Sequence, residues 1–120
     1  TAAGNALIAN PQNAVAYQSA AQVHRWRAEW RLRQGLSVRP ELIEGQRLVD
    51  EALVRNPELA SAMVTESALN IIQAEAEQDP RSRAALVSEA SDSLRRALEI
   101  NPLLERETAD LAARIASLRP

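Results

Sequence analysis

Ala52-Leu53-Val54-Arg55-Asn56-Pro57 recurs with few changes at two other places in this 120-residue chain, as Ala6-Leu7-Ile8-Ala9-Asn10-Pro11 before it and as Ala97-Leu98-Glu99-Ile100-Asn101-Pro102 after it. The three prolines stand 46 and 45 residues apart, so one structural unit repeats at a nearly constant period. Proline cannot extend a helix from within, and asparagine favours helix ends, so each copy marks a corner between two helices. The asparagine can close the first helix or cap the second, and either choice leaves the same tight corner. Other punctuation lies between the corners. Gly35 is a natural helix stop with Arg31 and Arg33 in the preceding turn, and Asp79 before Pro80 is a natural helix start. The expected elements are helices over about 13–34, 40–55, 58–78, 81–100 and 103–118, with residues 1–9 as the tail of a helix that begins earlier.

The motif resembles the tetratricopeptide repeat, in which the second helix of each pair ends in an Ala-Leu, polar, Pro pattern. Twelve residues before Pro57 and Pro102 stand the small residues Gly45 and Ala90, and eight before them the larger Val49 and Leu94, as that family requires. After Pro11, the residues Ala14, Ala16, Tyr17, Ala20 and Ala21 match the family's small and aromatic positions. After Pro57, Ala60, Ala62 and Met63 match, while Glu66 replaces an apolar residue. The period is longer than the family's ~34 residues by about three helical turns, a length that extends helices without rotating their apolar stripes away from their neighbours. Elongated repeats with such Gly and Pro turns also resemble arrays appended to some bacterial serine/threonine protein kinases, although no kinase motif is present. The resemblance implies an all-α fold, a right-handed stack of antiparallel helix pairs of α-solenoid type. Repeats would occupy about 14–57 and 60–102, and a C-terminal helix over about 103–118 would cap the single domain.

Composition is compatible with that fold. The apolar and charged shares are those of an ordinary globular domain, and no apolar run approaches the ~20 residues that a membrane span needs, so no membrane insertion is expected. Cysteine is absent, which excludes disulfide and thiolate chemistry. The formal charge of −2 disfavours a general polyanion binder. All basic residues are arginine, a usage that suits a GC-rich bacterial genome and a bacterial cytoplasmic setting.

Placed on a helical wheel, Gln18, Gln22, Arg25, Glu29 and Arg33 form one polar wedge of about 80° on the helix over 14–34. The rest of that helix is apolar, so it must be covered on two sides, and the wedge then lies where the family's concave groove would be. The same wedge moved 46 residues on selects Val64, Ala68, Ile71 and Glu75, with Ile72 matching Trp26. The expected partner groove is therefore Gln18, Gln22, Arg25, Trp26 and Glu29 beside Val64, Ala68, Ile71 and Ile72, an apolar floor against a polar wall that suits a docked helix or extended segment. The competing reading makes those apolar residues contacts to sequence outside these 120 residues or to a second copy. For Trp26 and Trp30, core packing of at least one is favoured over a binding role.

His24 has no second histidine and no carboxylate in register, so it is read as a structural polar group and not as a metal ligand. Arg25, Arg27, Arg31, Arg33 and Arg39 with the two tryptophans could stack and neutralise single-stranded nucleic acid, but ion pairing to Glu41, Glu44, Asp50 and Glu51 is the simpler role. The family's carboxylate clamp is not carried over, because Gln18 and Gln22 occupy its positions and lysine is absent. No phosphate loop, nucleophile elbow or metal-ligand cluster is found, and no cofactor or catalytic residue is expected. The sequence favours a non-catalytic scaffold or adaptor, a piece of a larger bacterial signalling protein, whose partner is a protein segment or a neighbouring domain. Self-association is the alternative, with homo-oligomers as its product, and nucleic-acid binding stands third.

Overall fold

The computed structural model describes residues 12–119, so the expectation for residues 1–9 lies outside the described residues. The order of elements is α1 (Gln12–Arg33), α2 (Arg39–Arg55), α3 (Ala60–Ala76), α4 (Pro80–Ile100), a 3-10 turn (Pro102–Glu105) and α5 (Ala109–Leu118). No strand occurs among the described residues.

Local chemistry sets the boundaries. Gly35 takes φ +72°, with nothing within 4 Å of where a Cβ would stand. The Leu36 N–H donates to the Arg31 carbonyl at 2.9 Å and the Gly35 N–H to the Leu32 carbonyl at 3.2 Å, a pairing that satisfies orphan carbonyls at the end of α1. At each described Asn-Pro corner the asparagine closes the helix before it and its side chain fixes the turn, while the N-cap position of α3 falls to Leu59, which has no side-chain cap. The Asn56 N–H closes α2 on the Ala52 carbonyl at 2.9 Å, while its Oδ1 accepts from the Glu58 N–H at 3.1 Å. Asn101 does the same, closing α4 on Ala97 at 2.9 Å and accepting from the Leu103 N–H at 3.2 Å. Asp79 caps α4, its Oδ2 accepting from the Ser82 N–H at 3.0 Å and the Ser82 hydroxyl at 2.8 Å.

Those bonds hold the Asp79 carboxyl below the usual carboxylate range, the Ser82 hydroxyl being the larger cause and the backbone N–H the next. A depressed folded-state pKa contributes stability that is complete above the unfolded value of about 3.9 and is lost as pH falls through the folded value. Asp79→Ala should therefore lower the thermal midpoint at neutral pH, and the gap from the parent chain should shrink steadily on acidification below that range. A gap independent of pH, followed by circular dichroism, would show that the carboxylate is not the cap.

The last helix departs from expectation, since 103–118 is not continuous. Thr108 stands at the N-cap of α5 outside helical backbone geometry, with its N–H on the Leu104 carbonyl at 3.0 Å and its hydroxyl turned back to the Leu104 carbonyl at 2.8 Å and the Glu105 carbonyl at 3.3 Å. Leu104 packs toward Ala60, Met63 and Ala97, whereas Leu103 is exposed and does not join the apolar side of α5.

The helices pair in an antiparallel sense. Tyr17 meets Arg55, His24 lies beside Gly45, and His24 and Arg31 both reach Glu41, so α1 runs against α2. Glu66 bonds Ser93 at 2.7 Å, and the buried Ser67 hydroxyl donates to the Ala90 carbonyl at 2.7 Å, which sets α3 against α4. Between pairs the direction is shared. Thr65 of α3 bonds Gln18 and Gln22 of α1 at sequence separations of 47 and 43, values that bracket the 46-residue period, so α3 lies along α1 one repeat further on.

α3 is the centre of the molecule, and its sequence shows why. Ala60, Ala62, Met63, Thr65, Ser67, Ala68, Leu69, Ile71, Ile72 and Ala74 are buried, a distribution that covers nearly the whole circumference of the helix. Leu69 packs with Ala21, Leu48 and Val49, Ile72 with Ala28 and Val38, and Ile71 with Leu94, Leu111 and Ile115. Among the described residues, no helix is long and apolar enough to cross a membrane.

Candidate functional site

A cleft of about 360 Å³ opens where α1 and α3 meet the C-terminal segment. Gln18, Gln22, Arg25 and Trp26 come from α1, Val64 and Thr65 from α3, and Leu104, Glu107, Asp110 and Leu111 close the third side. It continues into a second recess of about 540 Å³ that shares Arg25, Trp26 and Asp110 and adds Glu29, Arg33, Glu75 and Arg114.

Buried Thr65 organises the polar wall. Its Oγ1 accepts from the Gln18 amide at 2.8 Å, and the hydroxyl proton has two acceptors within reach, Gln22 Oε1 and the Ser61 carbonyl, both at 3.2 Å. Arg25 in turn donates to Gln22 Oε1 at 3.3 Å. Gln18, Gln22 and Arg25 are therefore held as one row along α1, on the i, i+4, i+7 spacing that puts them on one face. The Gln18 Oε1 is buried with no partner among the described residues.

The recess beside them is built on paired charges. Arg114 of α5 donates to Glu75 at 2.8 Å and to Glu29 at 3.1 Å, tying α5 to α3 and α1. The Glu75 hydrogen bond is the main reason that the Arg114 guanidinium rises above its ordinary range, with burial opposing it and Glu29 adding to it. Arg25 shifts the other way. Burial lowers it most, the nearby Arg114 cation lowers it further, and Glu29 counters both. Arginine remains charged under either shift, so Arg25 presents a partly desolvated cation at the junction of the two recesses. Trp26 stands beside it, 62% exposed.

Of the residues expected from sequence, Gln18, Gln22, Arg25, Trp26 and Val64 line the cleft and Glu29 lines its continuation. Ala68, Ile71 and Ile72 do not, and the expectation that they form an exposed floor is corrected. Ala68 and Ile71 are covered by α4 and α5, and Ile72 is sealed between Ala28 and Val38. The expectation that at least one tryptophan belongs to the core is corrected too, because Trp26 and Trp30 are both more than half exposed.

His24 does have a carboxylate in reach. Its Nδ1 lies 2.6 Å from Glu41 Oε2, and the other Glu41 oxygen is 3.9 Å from Arg31. The carboxylate comes from α2, which sequence register on α1 alone could not reveal. The arginine run is likewise divided among local partners, Arg33 with Glu29 and Arg31 with Glu41 and the Ser37 carbonyl. Among the described residues, no group of three or more His, Asp or Glu side chains is arranged to hold a metal.

Sequence reasoning missed the third wall. Leu104, Glu107, Asp110 and Leu111 reach the cleft only because the chain breaks at Thr108 and α5 folds back along α3. A further open cleft of about 620 Å³ lies between α2 and α3, around Leu42, exposed Ile43 and Gln73, and was also not foreseen.

Comparison with protein-family models, with curated proteins and with solved structures finds no match for this chain.

Proposed function

We propose that the chain is a protein-interaction module of tetratricopeptide type, with no chemistry of its own, that receives a peptide segment in the cleft between α1, α3 and α5. The observation that carries this reading is the cleft itself, in which an exposed indole lies next to a row of fixed amide and guanidinium donors, across from an acidic edge at Glu107 and Asp110. Such a surface suits a segment with one apolar anchor and free backbone carbonyls for Gln22 and Arg25. Support for the repeat comes from the 46-residue register between α1 and α3 and from the two antiparallel pairs. An adaptor within a larger bacterial cytoplasmic signalling protein, with elongated repeats like those beside some serine/threonine kinases, fits the sequence resemblance.

Panning a random dodecapeptide library against the chain tests the assignment. Selected peptides should shift amide resonances of Gln18, Gln22 and Arg25. Trp26→Ala and Arg25→Glu should each weaken binding at least tenfold, about 1.4 kcal/mol, at unchanged helicity. Peptides that bind both variants as tightly as the parent would place the site elsewhere.

A further inference from the structure

Glu66 stands where the repeat family places an apolar residue, and its two oxygens bridge two helices. Oε1 accepts from the Ser93 hydroxyl of α4 at 2.7 Å, and Oε2 from the Gln46 amide of α2 at 3.2 Å. α2 and α4 lie on either side of this carboxylate with little contact of their own, so a groove stays open along α3 between them. It shares no lining residue with the peptide cleft.

Two recesses make up the groove and meet at Gln46 and Asn70. The first, of about 620 Å³, has Val38, Leu42 and Leu69 as an apolar floor, with Ile43 58% exposed on its wall. Its rim charges are mostly engaged, Arg47 by Glu44, Asp50 by Gln46 and Glu77 by the Asp79 N–H, while Arg39 has no ion pair among the described residues. The second recess, of about 470 Å³, is lined by the carboxylates Glu66, Glu89 and Asp92. Glu89 has no ion pair among the described residues, and Asp92 has only Arg95 at 3.7 Å, a guanidinium that Glu99 holds more closely at 2.9 Å from outside the groove. The other cation there, Arg96, leans on Glu66 at 3.6 Å. Open charge in this recess is therefore negative. Between the ends, the side-chain amides of Asn70 and Gln73 have no hydrogen-bond partner among the described residues, although Asn70 is partly buried.

We propose that this groove is a second interaction surface, and that it takes an extended segment of a partner protein bearing an apolar side chain and, two or three residues away, a lysine or arginine. The apolar side chain covers Leu42 and Ile43, and the cation sits against Glu89 and Asp92, which lie one turn apart on α4. Asn70 and Gln73 stand four and seven residues beyond Glu66 on α3. That is roughly 6–10 Å along the helix axis, a reach that two or three residues of extended chain span. Extended backbone also offers N–H and C=O groups to the two free amides, whereas a helix has already paired its own.

Panning a random dodecapeptide library against the Trp26→Ala chain, in which the cleft has lost its indole, isolates this surface. Selected peptides should be enriched in an apolar residue with lysine or arginine two or three positions away, and should shift the side-chain amide resonances of Asn70 and Gln73. By fluorescence anisotropy, Ile43→Asp should weaken their binding at least tenfold, and Glu89→Gln with Asp92→Asn at least fivefold. All three positions are exposed, so helicity should be unchanged. The Glu89 and Asp92 variant should also lose most of the salt dependence of binding. Peptides that bind both variants as tightly as the Trp26→Ala chain, peptides with no preference for a cation, or the recovery of none would each overturn the proposal. So would a concentration-dependent association in sedimentation that Ile43→Asp abolishes, which would give the groove to a second copy. Failure of the cleft assignment leaves every one of these outcomes unchanged, because the two surfaces have no residue in common.

Discussion

Ile71→Asp is expected to unfold the chain. Ile71 is completely buried in the cluster that joins α3 to α4 and α5, beside Leu94, Leu111 and Ile115. Removing such a side chain to alanine costs about 2–5 kcal/mol through lost burial and the cavity left behind. A carboxylate in the same place adds the cost of a charge with no partner, again several kcal/mol, while the whole domain has only about 5–15 kcal/mol to lose. Circular dichroism should show Ile71→Asp without a cooperative transition, Ile71→Ala with a strongly lowered midpoint, and Ile71→Val shifted by about 0.5–1.5 kcal/mol. Native helicity and an unchanged midpoint for Ile71→Asp would mean that α5 does not cover α3, and that Ile71 belongs to a surface groove after all.

Gly45→Leu should be the next most damaging change. Gly45 lies where α2 packs tightly on α1 and α3, and a Cβ added there would stand 3.2 Å from both Leu69 methyls and 3.4 Å from the His24 Cβ. Alanine should be nearly neutral, because its gain in helix propensity, about 1 kcal/mol over glycine, offsets the crowding of a flexible leucine. Leucine cannot be accommodated without moving α2 outward, an overpacking cost of about 1–3 kcal/mol that urea titration would register. Leu69→Ala should recover part of the loss in the double variant, since the nearest atoms belong to that side chain. Strictly additive effects would indicate that the helices meet elsewhere.

The sequence reading and the structure agree most closely where the determinant is local. Gly35, Asp79 and the Asn-Pro corners act within three or four residues, through backbone conformation and short hydrogen bonds, so the helix ends they imply fall within a residue or two of those observed, except the start of α5, which lies at Ala109 and not at 103. The small residues Gly45 and Ala90 were legible only as positions the resemblance requires, and both are buried against a neighbouring helix. The polar row of Gln18, Gln22 and Arg25 was readable from helical geometry alone.

The disagreements share one cause. Ala68 and Ile71 looked like a groove floor because the wheel of α3 is apolar on that side, and a wheel cannot say whether an apolar side faces solvent, a partner or a later part of the chain. The same limit hid the carboxylate beside His24, which arrives on α2, and the exposure of Trp26 and Trp30. What the sequence by itself determined was the helical elements, their ends as far as the close of α4, their period and the row of polar donors on α1, because those follow from backbone propensity and from spacing along one helix. Only the tertiary structure decided which apolar faces are covered, since α5 closing over α3 and the open face of α1 depend on which helices arrive from elsewhere in the chain, and the free energy of burial rewards any such arrival without regard to sequence position.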